Sequence, residues 1–90
     1  MNSELKNGTL YLSGDITVKT LNERNAAQCR ALLGESVHTV DLGGVTRADS
    51  ACLSLILSLK RQQGRLKTAN LPAAVPALAE LYEIREWLDR

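Results

Sequence analysis

The run Asp41-Leu42-Gly43-Gly44-Val45-Thr46-Arg47-Ala48-Asp49-Ser50-Ala51-Cys52-Leu53-Ser54-Leu55-Ile56-Leu57 reads as the end of a buried strand, a glycine-containing turn and the start of a strongly apolar helix. Asp49 stands at the N-cap position, where a carboxylate accepts from the free backbone N–H groups of the first turn. Ser50 is then the first helical residue, exposed at the end where the helix macrodipole is positive. Advancing about 100° per residue separates two faces. Cys52, Leu55, Ile56 and Leu59 share one of them, with Ala51 at its edge, and are expected to bury against a sheet. Ser50, Ser54, Ser58 and Arg61 share the other, with Leu57 among them and Leu53 at its margin. A merely solvated face more usually carries Glu, Lys and Gln. The serines could simply fill an exposed face while Leu53 packs under a loop. An apolar patch rimmed by hydroxyls accounts for the residue types better, and such a patch receives a protein partner. Ser50, Leu53, Ser54, Leu57, Ser58 and Arg61 are therefore the candidate partner-binding residues, with Asp49 as the helix cap.

Three segments in this order carry a family resemblance. Ser13-Gly14-Asp15-Ile16 is similar to an "SGELD"-type segment after a first long strand, Val40-Asp41-Leu42 to a central strand, and Asp49-Ser50 to an Asp-Ser/Thr motif opening an apolar helix. Together they resemble STAS domains, the fold of bacterial anti-sigma-factor antagonists and of some transporter accessory subunits. The resemblance covers nearly the whole chain. It implies an α/β fold with a mixed four-stranded sheet covered by about three helices. Two positions depart from the pattern. Cys52 replaces the glycine usual just before the family's leucine, which implies a slightly different helix–sheet spacing. Thr17 stands where an acidic residue is common, although its hydroxyl still suits local bonding at a helix entrance.

Composition limits the function. Ninety residues suit one domain, 1–90, and such a domain buries roughly two thirds of its unfolded surface. Hydrophobic residues make up 44% of the chain with no Phe and one Trp, so the core is aliphatic. The net charge is +1 without a basic tract, which argues against a phosphate-tracking nucleic-acid surface. Cys29 and Cys52 form no CxxC pair, and no signal peptide is evident, so reduced thiols in a cytosolic protein fit best. The longest apolar run, Ala51 to Leu59, is too short to span a bilayer, and any membrane association is expected through a partner.

The remaining elements follow from local signals. Met1 to Lys6 supplies an edge strand, with Asn7-Gly8 as a hairpin turn. Thr9-Leu10-Tyr11-Leu12-Ser13 alternates as a strand, and Gly14 is expected to end it. Thr20 and Glu23 make a capping-box pattern for a helix from Leu21 to Leu33. Leu21, Cys29, Leu32 and Leu33, with Ala26, Ala27 and Ala31, are its expected buried side, and Gly34 suits a left-handed cap. Val37 to Leu42 is the next strand. In it His38 shares the Val40 and Leu42 face by alternation and reads as a hydrogen-bonded strand-start histidine rather than a ligand or base. Asp41 is placed to cap backbone groups near the turn. The main helix ends near Gln63-Gly64 beside Lys60, Arg61, Arg65 and Lys67. Cations there complement the negative helix pole, and contact with an acidic partner or lipid headgroups is the second explanation. Leu66 to Asn70 is a last strand, and Leu71-Pro72 opens a final helix whose apolar side is Leu78, Leu81, Tyr82 and Leu88. Strand–helix alternation of this kind predicts right-handed crossovers, with the helices chiefly on one sheet face.

No catalytic set is evident. No serine has a visible base, no metal-ligand spacing occurs, Gly43-Gly44 lacks a following Gly-Lys-Ser/Thr, and no cofactor is implied. The resemblance then implies two partner-binding roles. In the first, the chain is similar to the small cytoplasmic STAS subunits of bacterial phospholipid ABC transporters of the Mla type. These dock on the ATPase subunit, in complex with its permease at the inner membrane, and support assembly and ATPase activity. Leu78-Ala79-Glu80-Leu81-Tyr82, similar to the final helix of that subgroup, and the minimal length favour this role. In the second, Ser50 is the phosphorylation site of an anti-sigma-factor antagonist and the partner is an anti-sigma factor kinase. A phosphate there adds roughly two negative charges. The helix tolerates them, and an apolar partner interface does not.

Overall fold

The computed structural model describes residues 1–89; Arg90, which the single-domain expectation includes, lies outside the described residues. The order is β1 (Asn2–Lys6), β2 (Thr9–Ile16), α1 (Glu23–Leu32), β3 (Thr39–Ala48), α2 (Ser50–Gln62), β4 (Lys67–Ala69), α3 (Ala74–Leu81) and α4 (Arg85–Asp89). The four strands form one sheet in the order β1-β2-β3-β4. β1 runs antiparallel to β2, while β3 is parallel to both β2 and β4, so the sheet is mixed as expected. Asn7 (φ 51°) and Gly8 (φ 79°) make the β1–β2 turn, both in the left-handed region that a tight two-residue hairpin requires.

The largest correction concerns the glycines. No turn occurs at Gly43-Gly44; β3 continues through them to Ala48. Nor does Gly14 end β2, which passes through it at φ 82° to reach Ile16. The two strands stay paired because β3 carries extra residues. Tyr11 and Ser13 pair with Asp41 and Gly44, and Gly14 and Asp15 pair with Val45 and Arg47, so the register slips twice. Such bulges bend a strand and increase its twist. Gly44 permits the close approach, since a Cβ there would lie 2.8 Å from the Ser13 Cβ. Asp41 does bond locally as expected: its Oδ1 accepts from Gly43 N at 2.8 Å, and its Oδ2 from Asn70 Nδ2 at 3.1 Å.

The core lies on the helix side of the sheet. Leu10, Leu12, Val40 and Leu42 are buried there, together with Cys52, Leu55, Ile56 and Leu59 of α2. Tyr11 and Asp41, at alternate positions, belong to the open face. α2 touches α1, α3 and α4 as well as β3. Its buried arc is correspondingly wide and takes in Leu53, which is only 3% exposed. Leu53 therefore lies inside the core, and the expectation of an outer-margin contact residue is corrected.

Smaller differences have local causes. Asn22, rather than Thr20, caps α1, accepting from Asn25 N at 2.9 Å, and the Thr20 hydroxyl is used in the preceding turn. Ala27 and Ala31 are exposed, leaving Cys29 as the fully buried residue of α1. Gly34 does not adopt a left-handed conformation; α1 ends with Leu33 in extended geometry. The Arg30 carbonyl accepts from Gln62 Nε2 at 2.9 Å, and the Gln63 amide reaches the Gly34 and Val37 carbonyls, tying α1 to the end of α2. His38 is exposed rather than core-facing, with Nδ1 2.8 Å from Thr39 Oγ1, while its backbone bonds to Gly8 and Lys67 as a strand-start residue.

The expected final helix is two helices, giving four among the described residues. Glu83 takes φ 60°, Ile84 N donates to the Ala79 carbonyl and Glu83 N to the Glu80 carbonyl. This bond pair is a Schellman ending, usually built on glycine. It turns the chain so that Leu88 is buried, whereas Leu81 and Tyr82 are exposed, against expectation.

Filling the β2–β3 approach should be costly. Gly44→Val is expected to lower unfolding free energy by about 1–3 kcal/mol in urea titrations, the range for overpacking a tight site. Gly34→Ala, whose added Cβ meets nothing within 4 Å, is expected to stay within about 0.5 kcal/mol of the parent.

Candidate partner-docking site

The end of β3 delivers Asp49 to the N-cap of α2 as the sequence predicts. Its φ of −136° is extended, and its Oδ1 accepts from Ala51 N at 2.8 Å. The other oxygen, Oδ2, accepts from Val18 N at 3.0 Å, across a separation of 31 residues. One carboxylate thus satisfies a free donor of the first helical turn and anchors the loop after β2. Removing the Val18 bond would take away this loop's hydrogen bond to the start of α2.

That turn is itself well tied. Thr20 Oγ1 donates to the Asp15 carbonyl at 2.9 Å and accepts from Thr17 N at 3.0 Å, while Thr20 N donates to the Thr17 carbonyl at 3.1 Å. Thr17 thus bonds locally, as its position at the entrance to α1 suggests. Thr46 Oγ1 donates to Asp15 Oδ1 at 2.6 Å, joining β3 to the end of β2. Both carboxylates of the corner are therefore occupied by internal hydrogen bonds. Lys19 and Arg47 line the same recess, of about 310 Å³, with the side chain of Val18. Val18 is 67% exposed although its backbone is fixed. A fixed and exposed apolar side chain makes a low-entropy contact.

The candidate residues separate into those on the surface and those beneath it. Ser54 and Arg61 are exposed, and Ser50, Leu57 and Ser58 are half-buried along the same outer side of α2. None of the bonds that fix the corner uses the Ser50 hydroxyl. Leu53 supports the helix from below. Val18, Lys19 and Arg47 join the surface without having been singled out in the sequence. Their signal there is faint: Asp15 and the Thr17/Thr20 pair hint at a tight loop, but only the fold brings that loop to Asp49.

Cys52, directly below this corner, is fully buried. Burial pushes its thiol up to about 12, and the nearby Asp49 carboxylate adds to the effect. Burial also raises the Cys29 thiol, against an opposing influence of Arg30. Thiols of this kind are poor nucleophiles at neutral pH. Among the described residues no three of His, Cys, Asp and Glu converge as a metal-ligand set. No helix is long and apolar enough to cross a membrane among them.

With this geometry, the chain matches the family model described as "Mlab, STAS domain" over residues 1–89, and it belongs to that family of STAS domains. No curated protein matches it.

Asp49→Ala is expected to cost about 1–2 kcal/mol of stability, at the upper part of the N-cap range because a second bond is lost with the cap. Amide exchange at Val18 should accelerate together with that at Ala51. Acceleration at Ala51 alone would show that Asp49 does not hold the loop.

The Cys52 thiol also predicts an alkaline effect. Below its ordinary value of 9.0 both folded and unfolded chains keep the proton, and stability does not depend on this group. Between 9.0 and about 12 the unfolded chain loses the proton while the folded chain retains it. Unfolding is then favoured as pH rises, by about 1.4 kcal/mol per pH unit from this group. Urea titrations of Cys52→Ala should show a correspondingly flatter fall over that interval.

Proposed function

We propose that this chain is the non-catalytic STAS subunit of a Mla-type phospholipid ABC transporter, docking on the ATPase subunit through the first turn of α2. Membership of the STAS family supports the class of protein, and the Mla description of the matching model favours this member of the class. The observation that carries the docking mode is the corner held by Asp49. It combines the half-buried Ser50 with the exposed, backbone-fixed Val18. Ser54, Leu57, Ser58 and Arg61 extend the surface along α2.

Such a surface suits a supporting rather than a chemical role. Small hydroxyl side chains allow a partner backbone to approach closely, and Leu57 and Val18 supply apolar contact. Docking stabilises the conformations of the ATPase that bind the subunit more tightly, by mass action. Assembly and ATPase activity then rise together. Through this partner and its permease the chain resides at the cytoplasmic side of the inner membrane.

Ser50→Arg tests the reading. Arginine is a good helix former, and its charge near the positive helix end costs only about 0.3–1 kcal/mol. The variant should therefore keep the parent's circular dichroism and unfold only slightly earlier. Its bulk and charge should abolish co-purification with the ATPase. A folded Ser50→Arg chain that still recovers the ATPase would contradict the proposal. Recovery of a serine kinase with the parent chain, and of phosphate on Ser50, would replace it by the anti-sigma-factor-antagonist role.

A further inference from the structure

Among the described residues β1 (Asn2–Lys6) is an outer strand of the sheet, paired on one side only. Its register with β2 fixes which of its backbone groups are already used. Lys6 faces Thr9 across the two-residue Asn7-Gly8 turn, and the pairs run on through Leu5–Leu10, Glu4–Tyr11 and Ser3–Leu12. The pair that closes a two-residue hairpin exchanges backbone hydrogen bonds, and bonded pairs alternate from it. Lys6 and Glu4 therefore bond inward to β2, whereas the N–H and C=O of Leu5 and Ser3 point away from the sheet at its free edge. Leu5 is also 42% exposed, although Leu10 beside it is fully buried. We propose that this edge pairs with the same edge of a second copy of the chain, antiparallel and centred on Leu5, joining the two sheets into one.

The charges select both the occupant and the register. Pairing about Leu5 sets Glu4 opposite Lys6 of the second copy, and Lys6 opposite its Glu4, on the open face of the sheet. The two Leu5 side chains meet on the helix side, and their backbones exchange the bonds that each edge leaves unused. Unlike charges and paired aliphatic side chains are favourable cross-strand combinations. A register centred on Glu4 also aligns the outward groups, but it opposes two glutamates. Glu4 and Lys6 belong to neither ion pair of the described residues, which join Arg30 to Glu23 and Arg85 to Glu80. Across the hairpin they face Tyr11 and Thr9, which supply no countercharge. Edge charges commonly deter strand pairing, and a run of one sign does so against any copy of itself. The alternation of Glu4, Leu5 and Lys6 instead fits its own image across a two-fold axis. With a net charge of +1, little long-range repulsion separates two copies. Five residues a side fall below the roughly 20–30 of a standard interface, so the dimer is weak and forms as concentration rises. The edge shares no residue with the α2 corner, and the inference stands or falls separately from ATPase docking.

Sedimentation equilibrium of the full chain, from about 10 μM to about 1 mM, reads the association. The parent should pass from monomer towards dimer within that range. Lys6→Glu and Glu4→Lys each oppose like charges at two places in the pairing, and each should weaken dimerisation about tenfold or more. Both positions are exposed, and circular dichroism should show the parent's fold in each variant. An equimolar mixture of the two variants again opposes unlike charges and should recover the association as a mixed dimer. Amide exchange at Leu5 should slow as the parent is concentrated. A parent that stays monomeric at about 1 mM, single reversals that associate like the parent, a mixture that stays monomeric, or Leu5 exchange independent of concentration would each overturn the proposal.

Discussion

The carboxylate of Asp49 is the constraint from which the candidate docking surface follows. One oxygen caps α2 and the other holds the backbone of Val18, so helix start and loop are fixed by the same side chain. A cap alone would stabilise the helix by about 1 kcal/mol. The second bond adds geometry: it sets Val18 and Lys19 beside the start of α2, where Arg47 of β3 lines the same recess. It also places a negative charge near Cys52, which adds to the burial that keeps this thiol neutral. Stability and surface shape are thus coupled at one residue.

The corner is rigid because of what lies below it. Ile16 and Cys52 are fully buried at the two elements that meet there, and Leu53 closes the side of the core. Ile16 and Leu53 each contribute about 1.5–3 kcal/mol by leaving water. The chain reserves its large aromatics for the outside: Tyr11, Tyr82 and Trp87 are all exposed. An aliphatic interior thus places the aromatics at the surface, where Trp and Tyr are enriched in protein contacts.

How much could be read from the sequence depends on how local the cause was. The α2 boundaries, the Asp49 cap and the Asn7-Gly8 hairpin rest on side-chain chemistry within a few residues, and the sheet with its order of elements follows from strand–helix alternation. The family resemblance is shown by the matching model. Gly43-Gly44 misled because glycine serves turns and close strand approach equally well, and only the parallel partner β2 distinguishes them. Leu53 misled because helical periodicity places the centre of a buried arc and not its width, which neighbouring helices set. The break after α3 left no glycine to mark it, since Glu83 occupies the left-handed position. Val18 was invisible for a different reason. Its importance comes from a hydrogen bond to a residue 31 positions away.

Hydrogen–deuterium exchange of the chain alone and in the complex purified in mild detergent from its native cells addresses the central claim most directly. The account predicts that the partner is an ABC ATPase with its permease, and that protection concentrates in the loop 17–20 and the first turns of α2. Protection confined to the open sheet face around Tyr11 and Asp41, with the α2 corner exchanging as in the free chain, would contradict it.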